Sequence, residues 1–176
     1  LVDALGVDAV PAHFAAVSVN ARAMDAFGIH PNHRFMMWDW VGGRFSIWSS
    51  IGVSLAIAIG RDAFDEFLAG AHELDCHFRD APWSENLPLL MAMLGVWNIN
   101  FMELPAFAVL PYDSRLSRFP AFLQQLEMES NGKSIARDGS PIHWQTAPIV
   151  WGEPANNAQH SFFQQLHQGS LRTACD

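Results

Sequence analysis

Apolar positions along this chain fall into two patterns, short compact runs and longer stretches at helical spacing. The short runs predict strands at Phe14–Val19, Phe35–Trp40, Phe107–Pro111 and Pro148–Trp151, with a weaker fifth at Leu171–Cys175. Between them the periodic stretches predict helices around Ala21–Phe27, Trp48–Ile59, Asp62–Arg79, Asn86–Phe101, Phe119–Glu129 and Asn157–His167. Gly28, Gly60, Gly95 and Gly169 punctuate these segments, and Gly28 and Gly169 suit helix C-caps because each follows an apolar helical pattern. Strands separated by helices pair in parallel through right-handed crossovers. The expected fold is α/β: a three-layer α/β/α sandwich on a mainly parallel five-stranded sheet, forming one domain over 1–176.

The 176 residues are half hydrophobic and only 16% charged, enough apolar material for one large core and too much for disorder. A formal charge of −8 disfavours a nucleic-acid partner, since phosphate backbones need a basic face. An anionic small molecule stays open, because a pocket sets its own local potential. Cys76 and Cys175 form no motif and suit a reducing compartment. No signal peptide is seen, and the most apolar run, Ile47 to Ile59, is too short and too rich in Ser and Gly to span a bilayer. It is expected to be a buried helix. The chain starts at Leu1 rather than Met, Leu1–Ala4 resembles a helix end ahead of Gly6, and the chain stops at Asp176 just past an apolar stretch. A piece of a longer protein, truncated at both ends, is expected.

Parallel sheets place their sites beyond the carboxyl ends of their strands. After the run ending near Trp40 comes Val41-Gly42-Gly43-Arg44-Phe45-Ser46. Two glycines let backbone approach a ligand, free amides at a helix start favour an anion, and Arg44 adds a planar cation. A tight turn with a surface arginine is the plain alternative. In Phe119–Glu129, residues Phe119, Phe122, Leu123 and Leu126 mark a buried face. Gln125 and Glu129 are four apart and share a side, with Glu129 at the edge of the apolar stripe. A partly desolvated carboxylate there would be a better base near neutrality; a helix-end acid paired with Lys133 is the plain alternative. His160 follows a strand and turn, with Asn156 or Asn157 available as N-cap. That places it in a first helical turn, where the dipole favours neutral imidazole. A packing histidine is the plain alternative. His72-Glu73-Leu74-Asp75-Cys76-His77 superficially resembles a zinc-protease helix, but its second His falls at i+5 rather than i+4, so no metal site is expected. His13, His30, His33 and His143 form no ligand pattern.

Several segments in order resemble the glucose-6-phosphate isomerase family. Asp39-Trp40-Val41-Gly42-Gly43-Arg44-Phe45-Ser46-Ile47-Trp48-Ser49 is similar to the family's stretch around its substrate arginine. Ala108-Val109-Leu110-Pro111-Tyr112 resembles the strand before its catalytic helix, and Gln124-Gln125 with Met128-Glu129-Ser130-Asn131-Gly132-Lys133 resembles that helix. Pro148-Ile149-Val150-Trp151-Gly152-Glu153-Pro154, Gln159-His160 and His167-Gln168-Gly169 extend the likeness. The resemblance implies a sugar-isomerase (SIS) domain acting on a sugar phosphate in the cytoplasm, without metal or organic cofactor. It implies Glu129 as the base between C1 and C2, Arg44 stabilising a cis-enediol, Gly43 approaching the sugar by its backbone and Gln125 lining the site. His160 would assist ring opening and reach the site of the partner in a homodimer. Ala155, Asn156 and Ala158 depart from the family's more usual Gly, Thr and Gly, which implies a stiffer or shifted loop before His160. The family's Ser/Thr-rich phosphate loop and C-terminal lysine have no counterpart in this chain. A non-catalytic sugar-phosphate-binding module of the same fold is the competing expectation.

Overall fold

The computed structural model describes residues 2–176. It divides into two compact units, Leu1–Asp75 and Cys76–Asp176.

In the first unit α1 (Val2–Leu5) ends at Gly6, whose φ of 80° needs glycine. A 3-10 turn and α2 (Val10–His13) lead to β1 (Ala16–Ser18). Asn20 caps α3 (Ala21–Phe27) by accepting from the Ala23 amide at 2.9 Å. Gly28 closes it in the left-handed conformation the sequence predicts. Val10, Met24 and Ile29 are buried together, with Phe14 and Ala16 packed against them. Burying a side chain of that size contributes about 1.5–3 kcal/mol. β2 (Arg34–Met36) pairs in parallel with β1, Val17 opposite Phe35.

The run Gly43–Gly52 then forms 3-10 turns ahead of α4 (Val53–Ile59). The expected buried helix over Trp48–Ile59 is corrected here. α4 has no buried residue, and Ile57 is 80% exposed. Apolar composition sets a tendency to be covered; it does not supply the cover. α5 (Arg61–Asp80) follows, and the division between the units falls within it.

In the second unit Asn86, itself buried, caps α6 (Leu87–Asn100) by accepting from the Leu89 amide, and donates to the Phe78 carbonyl at 2.7 Å. β3 (Ala106–Ala108) leads through a loop to α7 (Phe119–Leu123). β4 (Ile149–Trp151) is followed by α8 (Ala155–Ser161), α9 (Phe163–Gln168) and β5 (Ala174–Cys175). The sheet order is β4-β3-β5, all parallel, with Phe107 opposite both Val150 and Ala174. Ala108, Val109, Val150, Ala155 and Ala158 are buried about this sheet.

All five expected strands are present and paired in parallel, as an α/β chain requires. They form a two-stranded and a three-stranded sheet, however, not the single five-stranded sheet expected. Alternation fixes strand direction and crossover but not which strands share a ladder. The helix expected over Asn157–His167 is two helices. Phe162 leaves helical geometry (φ −144°) as its ring meets Trp151 edge-on at 4.6 Å. Gly169 ends α9 in an extended conformation, not a left-handed one.

Gly152 holds the turn out of β4 at φ 147°, where a Cβ would lie 1.9 Å from the Val109 carbonyl oxygen. Gly152→Ala therefore combines backbone strain with a backbone collision. A loss of at least about 2 kcal/mol is expected, read as a lower urea midpoint in a full-length protein carrying this chain. An unchanged midpoint would show that the turn relaxes freely.

Candidate active site

The expected helix Phe119–Glu129 begins as α7 and then widens. Gln124–Glu129 is π-helical. Its i→i+5 pattern is uncommon and recurs at functional positions. Residues four apart fall just short of one π turn, so Gln125 and Glu129 remain neighbours on one face, and both are exposed. The expected desolvation of Glu129 is thus not supplied by this chain. The expected buried face is also looser: Phe119 and Phe122 are exposed, while Leu123 and Leu126 are half-buried.

The end of this helix is firmly built. Ser130 Oγ donates to the Leu126 carbonyl, and Asn131 Nδ2 donates to Glu127 Oε1 at 3.1 Å. At Gly132 a Cβ would lie 2.4 Å from the Met128 carbonyl oxygen. Lys133 Nζ donates to the carbonyls of Glu129 at 2.6 Å and Ser130 at 3.1 Å. A cation there satisfies terminal carbonyls and complements the helix dipole. The Lys133 amide donates to Thr146 Oγ1, so the helix end lies beside the segment entering β4.

His160 leaves from the other end of β4. Gly152-Glu153-Pro154 turns the chain into α8, and the Ala155 amide donates to the Pro111 carbonyl at 3.1 Å. Pro154 is the N-cap and makes no side-chain cap bond, so neither Asn156 nor Asn157 caps the helix. His160 is exposed and lies in the last turn of α8, correcting the expected first turn. The dipole argument for a neutral ring, which belongs to a first turn, therefore does not apply. Ala155 and Ala158, expected to stiffen or shift the loop before His160, are both buried. Ser161 Oγ donates to Glu153 Oε1, tying the turn to the helix.

In the first unit Gly43 opens a 3-10 helix, Gly43–Trp48, and an added Cβ there would meet open space. Ser46, buried, donates to the Gly43 carbonyl at 2.6 Å. Arg44 is half-buried with its guanidinium carbon 5.3 Å from the Phe45 ring centroid.

Two hollows lie in the second unit. One of about 450 Å³ is lined by Asn100, Ser130, Asn131, Lys133, Trp144 and Thr146. A larger, mainly apolar cleft of about 750 Å³ runs along α6, β3 and β5. Gln125, Glu129 and His160 line neither. His77 Nε2 accepts from the Leu87 amide at 3.1 Å, a structural role within the zinc-like decoy. Among the described residues no group of three or more His, Cys, Asp or Glu side chains is placed to hold a metal ion, and no helix is long and apolar enough to cross a membrane. The sequence reading missed the π segment and the roles of Gln124 and Lys133 beside it. Gln124 stood in the recognised runs without a role of its own, and Lys133 was named only as the plain partner of Glu129; its ammonium bonds the carbonyls of Glu129 and Ser130.

The glucose-6-phosphate isomerase of Xanthobacter autotrophicus is 58% identical over 97% of this chain, and that of Agrobacterium fabrum is 56% identical over 97%. The chain spans 31% of the length of each. The crystal structure of a glucose-6-phosphate isomerase from Chlamydia trachomatis superposes with a TM-score of 0.85 at 49% identity, covering 93% of this chain and 32% of that one. A hypothetical protein from Thermus thermophilus superposes at 0.79 with 27% identity, over 99% of this chain and 40% of that one. The phosphoglucose isomerase family model matches residues 1–176. With the whole length matched and an α/β fold in common, the chain belongs to the phosphoglucose isomerase family.

Proposed function

We propose that this chain works as part of a full-length isomerase interconverting glucose 6-phosphate and fructose 6-phosphate through a cis-enediol, a step shared by glycolysis and gluconeogenesis. The observation that carries this reading is the family match across residues 1–176. The chemistry moves one proton between C1 and C2 of the open-chain sugar. It needs a base, a donor for the oxyanion of the enediolate and help in opening the ring. Proton transfer alone calls for no redox group, so no cofactor is assigned.

Glu129 is the proposed base, on a segment whose end is fixed by Ser130, Asn131 and Lys133. Its exposure means that whatever closes over it, substrate included, supplies the desolvation a strong base needs. Gln125 shares its face and would line the bound sugar. Gly43, open above its Cα, would meet the sugar by backbone, and Arg44 would stabilise developing charge. His160 would open the ring. His160 lies on α8, which follows β4, and is exposed, which suits its supply to the site of a second copy in a homodimer. The proposed compartment is the cytoplasm.

Glu129→Gln in the full-length enzyme keeps shape and hydrogen bonding but removes the basic carboxylate. A loss of about 10²–10⁴-fold in turnover is expected, with exchange of the C2 hydrogen into solvent falling in step. Turnover and exchange within a few-fold of the parent would leave Glu129 a helix-end acid only. His160→Ala should slow ring-closed substrate more than open-chain substrate; equal losses would remove its assignment. The isolated chain should show little or no isomerase activity, since binding of a remote phosphate contributes to transition-state stabilisation. Turnover near that of the full-length enzyme would show that the phosphate loop and C-terminal lysine matter less than proposed.

A further inference from the structure

We infer that Gln124 is a positioning residue that holds the π-helical turn and so aims Glu129; the inference rests on the reading of Glu129 as the base. The first observation is a hydrogen bond: Gln124 Nε2 donates to the Val150 carbonyl at 3.1 Å. The bond answers a specific need. Strand β4 lies at one edge of the sheet order β4-β3-β5. The Ile149 amide donates to the Pro105 carbonyl and the Trp151 carbonyl accepts from the Val109 amide, so Ile149 and Trp151 turn their backbone groups toward β3. In a parallel ladder the intervening residue turns its own groups the other way. The carbonyl of Val150 therefore faces the open edge, in a residue only 2% exposed. A carbonyl there without a partner costs free energy, and Gln124 supplies the donor.

The second observation is place. Gln124 opens the π segment and Glu129 closes it. π-helical turns are rare because the i→i+4 pattern is ordinarily preferred, so one that persists needs support from outside the helix. Reversion to α-helical pitch would rotate Glu129 about the helix axis relative to β4. A tie from the first residue of the segment to the sheet opposes that rotation, as Lys133 and Thr146 do from beyond its last. Gln124 thus acts on the proton-transfer geometry without touching substrate, whereas Gln125 beside it is the residue assigned to the sugar.

The test uses the full-length isomerase carrying this chain, with three variants measured together. Gln124→Met keeps length and removes the donor. Gln124→Lys keeps a donor on a stem of similar reach at an exposed position. Glu129→Gln checks the reading on which the inference rests. Misplacement of a reacting group by about 1 Å costs on the order of 10²-fold, so Gln124→Met should lower kcat about ten- to a hundredfold with KM within twofold. Amide hydrogen exchange should quicken within residues 124–132 and nowhere else, and Gln124→Lys should recover most of the lost kcat. The inference is overturned if Gln124→Met keeps kcat within twofold, or if its loss is matched by the unfolded fraction and exchange quickens throughout. It is also overturned if Lys recovers nothing. If Glu129→Gln is inactive while Gln124→Met is not, Gln124 alone loses its role. If Glu129→Gln retains turnover, both assignments fall.

Discussion

Strands of two or three residues make too few ladder bonds to hold a sheet by themselves, and the second unit is organised around that shortage. Its central strand, β3, is prolonged past its formal ends by loop backbone. Leu110 donates to the Asp176 carbonyl, Asp176 to Ala108, and Ala155 to Pro111. On the far side of β4, a side chain does what a further strand would otherwise do. The elements bearing the proposed chemistry are attached at these supplementary bonds: the π segment by Gln124, the helix end by Lys133 and Thr146, and α8 by the Ala155 amide. Backbone satisfaction and site geometry are therefore one problem here.

Local signals carried much of this architecture. The helix Ala21–Phe27 and the glycine cap at Gly28 were legible, because each is decided by residues within one turn of one another. Strand positions were legible from compact apolar runs, though the ladders proved shorter than the runs. Properties set at a distance were not. Whether β1–β2 joins β3–β4–β5 is a matter of tertiary pairing, and no residue in Ala16–Ser18 announces it. Phe162 leaves helical geometry where its ring meets Trp151, which lies eleven positions earlier in the sequence and across a turn.

The site shows the same division. Glu129, Gln125, Arg44 and His160 were found as residue types in recognisable runs. What each experiences depends on its surroundings. Leu123 and Leu126 gave a true apolar stripe, but its edge turned out to be open to water, so Glu129 is exposed. The π turn has no compositional mark at all, since Gln, Leu, Glu and Met are ordinary helix formers. His160 moved from the first turn to the last because Pro154 starts the helix earlier than either asparagine would.

The widened turn also bears on how this segment tolerates length change. A π turn holds one residue more than the hydrogen-bond ladder of an α-helix needs. Losing any one residue between Gln124 and Glu129 would let the ladder close in its commoner form, so the helix itself would survive the loss. Four steps at the narrower α-helical pitch turn the chain about as far as five at the wider one, so everything after the lost residue would keep nearly its original direction. A lineage could thus accept such a deletion with little cost in folding and with its carboxylate still facing nearly the same way. In a comparison of sequences, a one-residue gap at this place would accordingly be compatible with an unchanged trade, where the same gap in a plain α-helix would not.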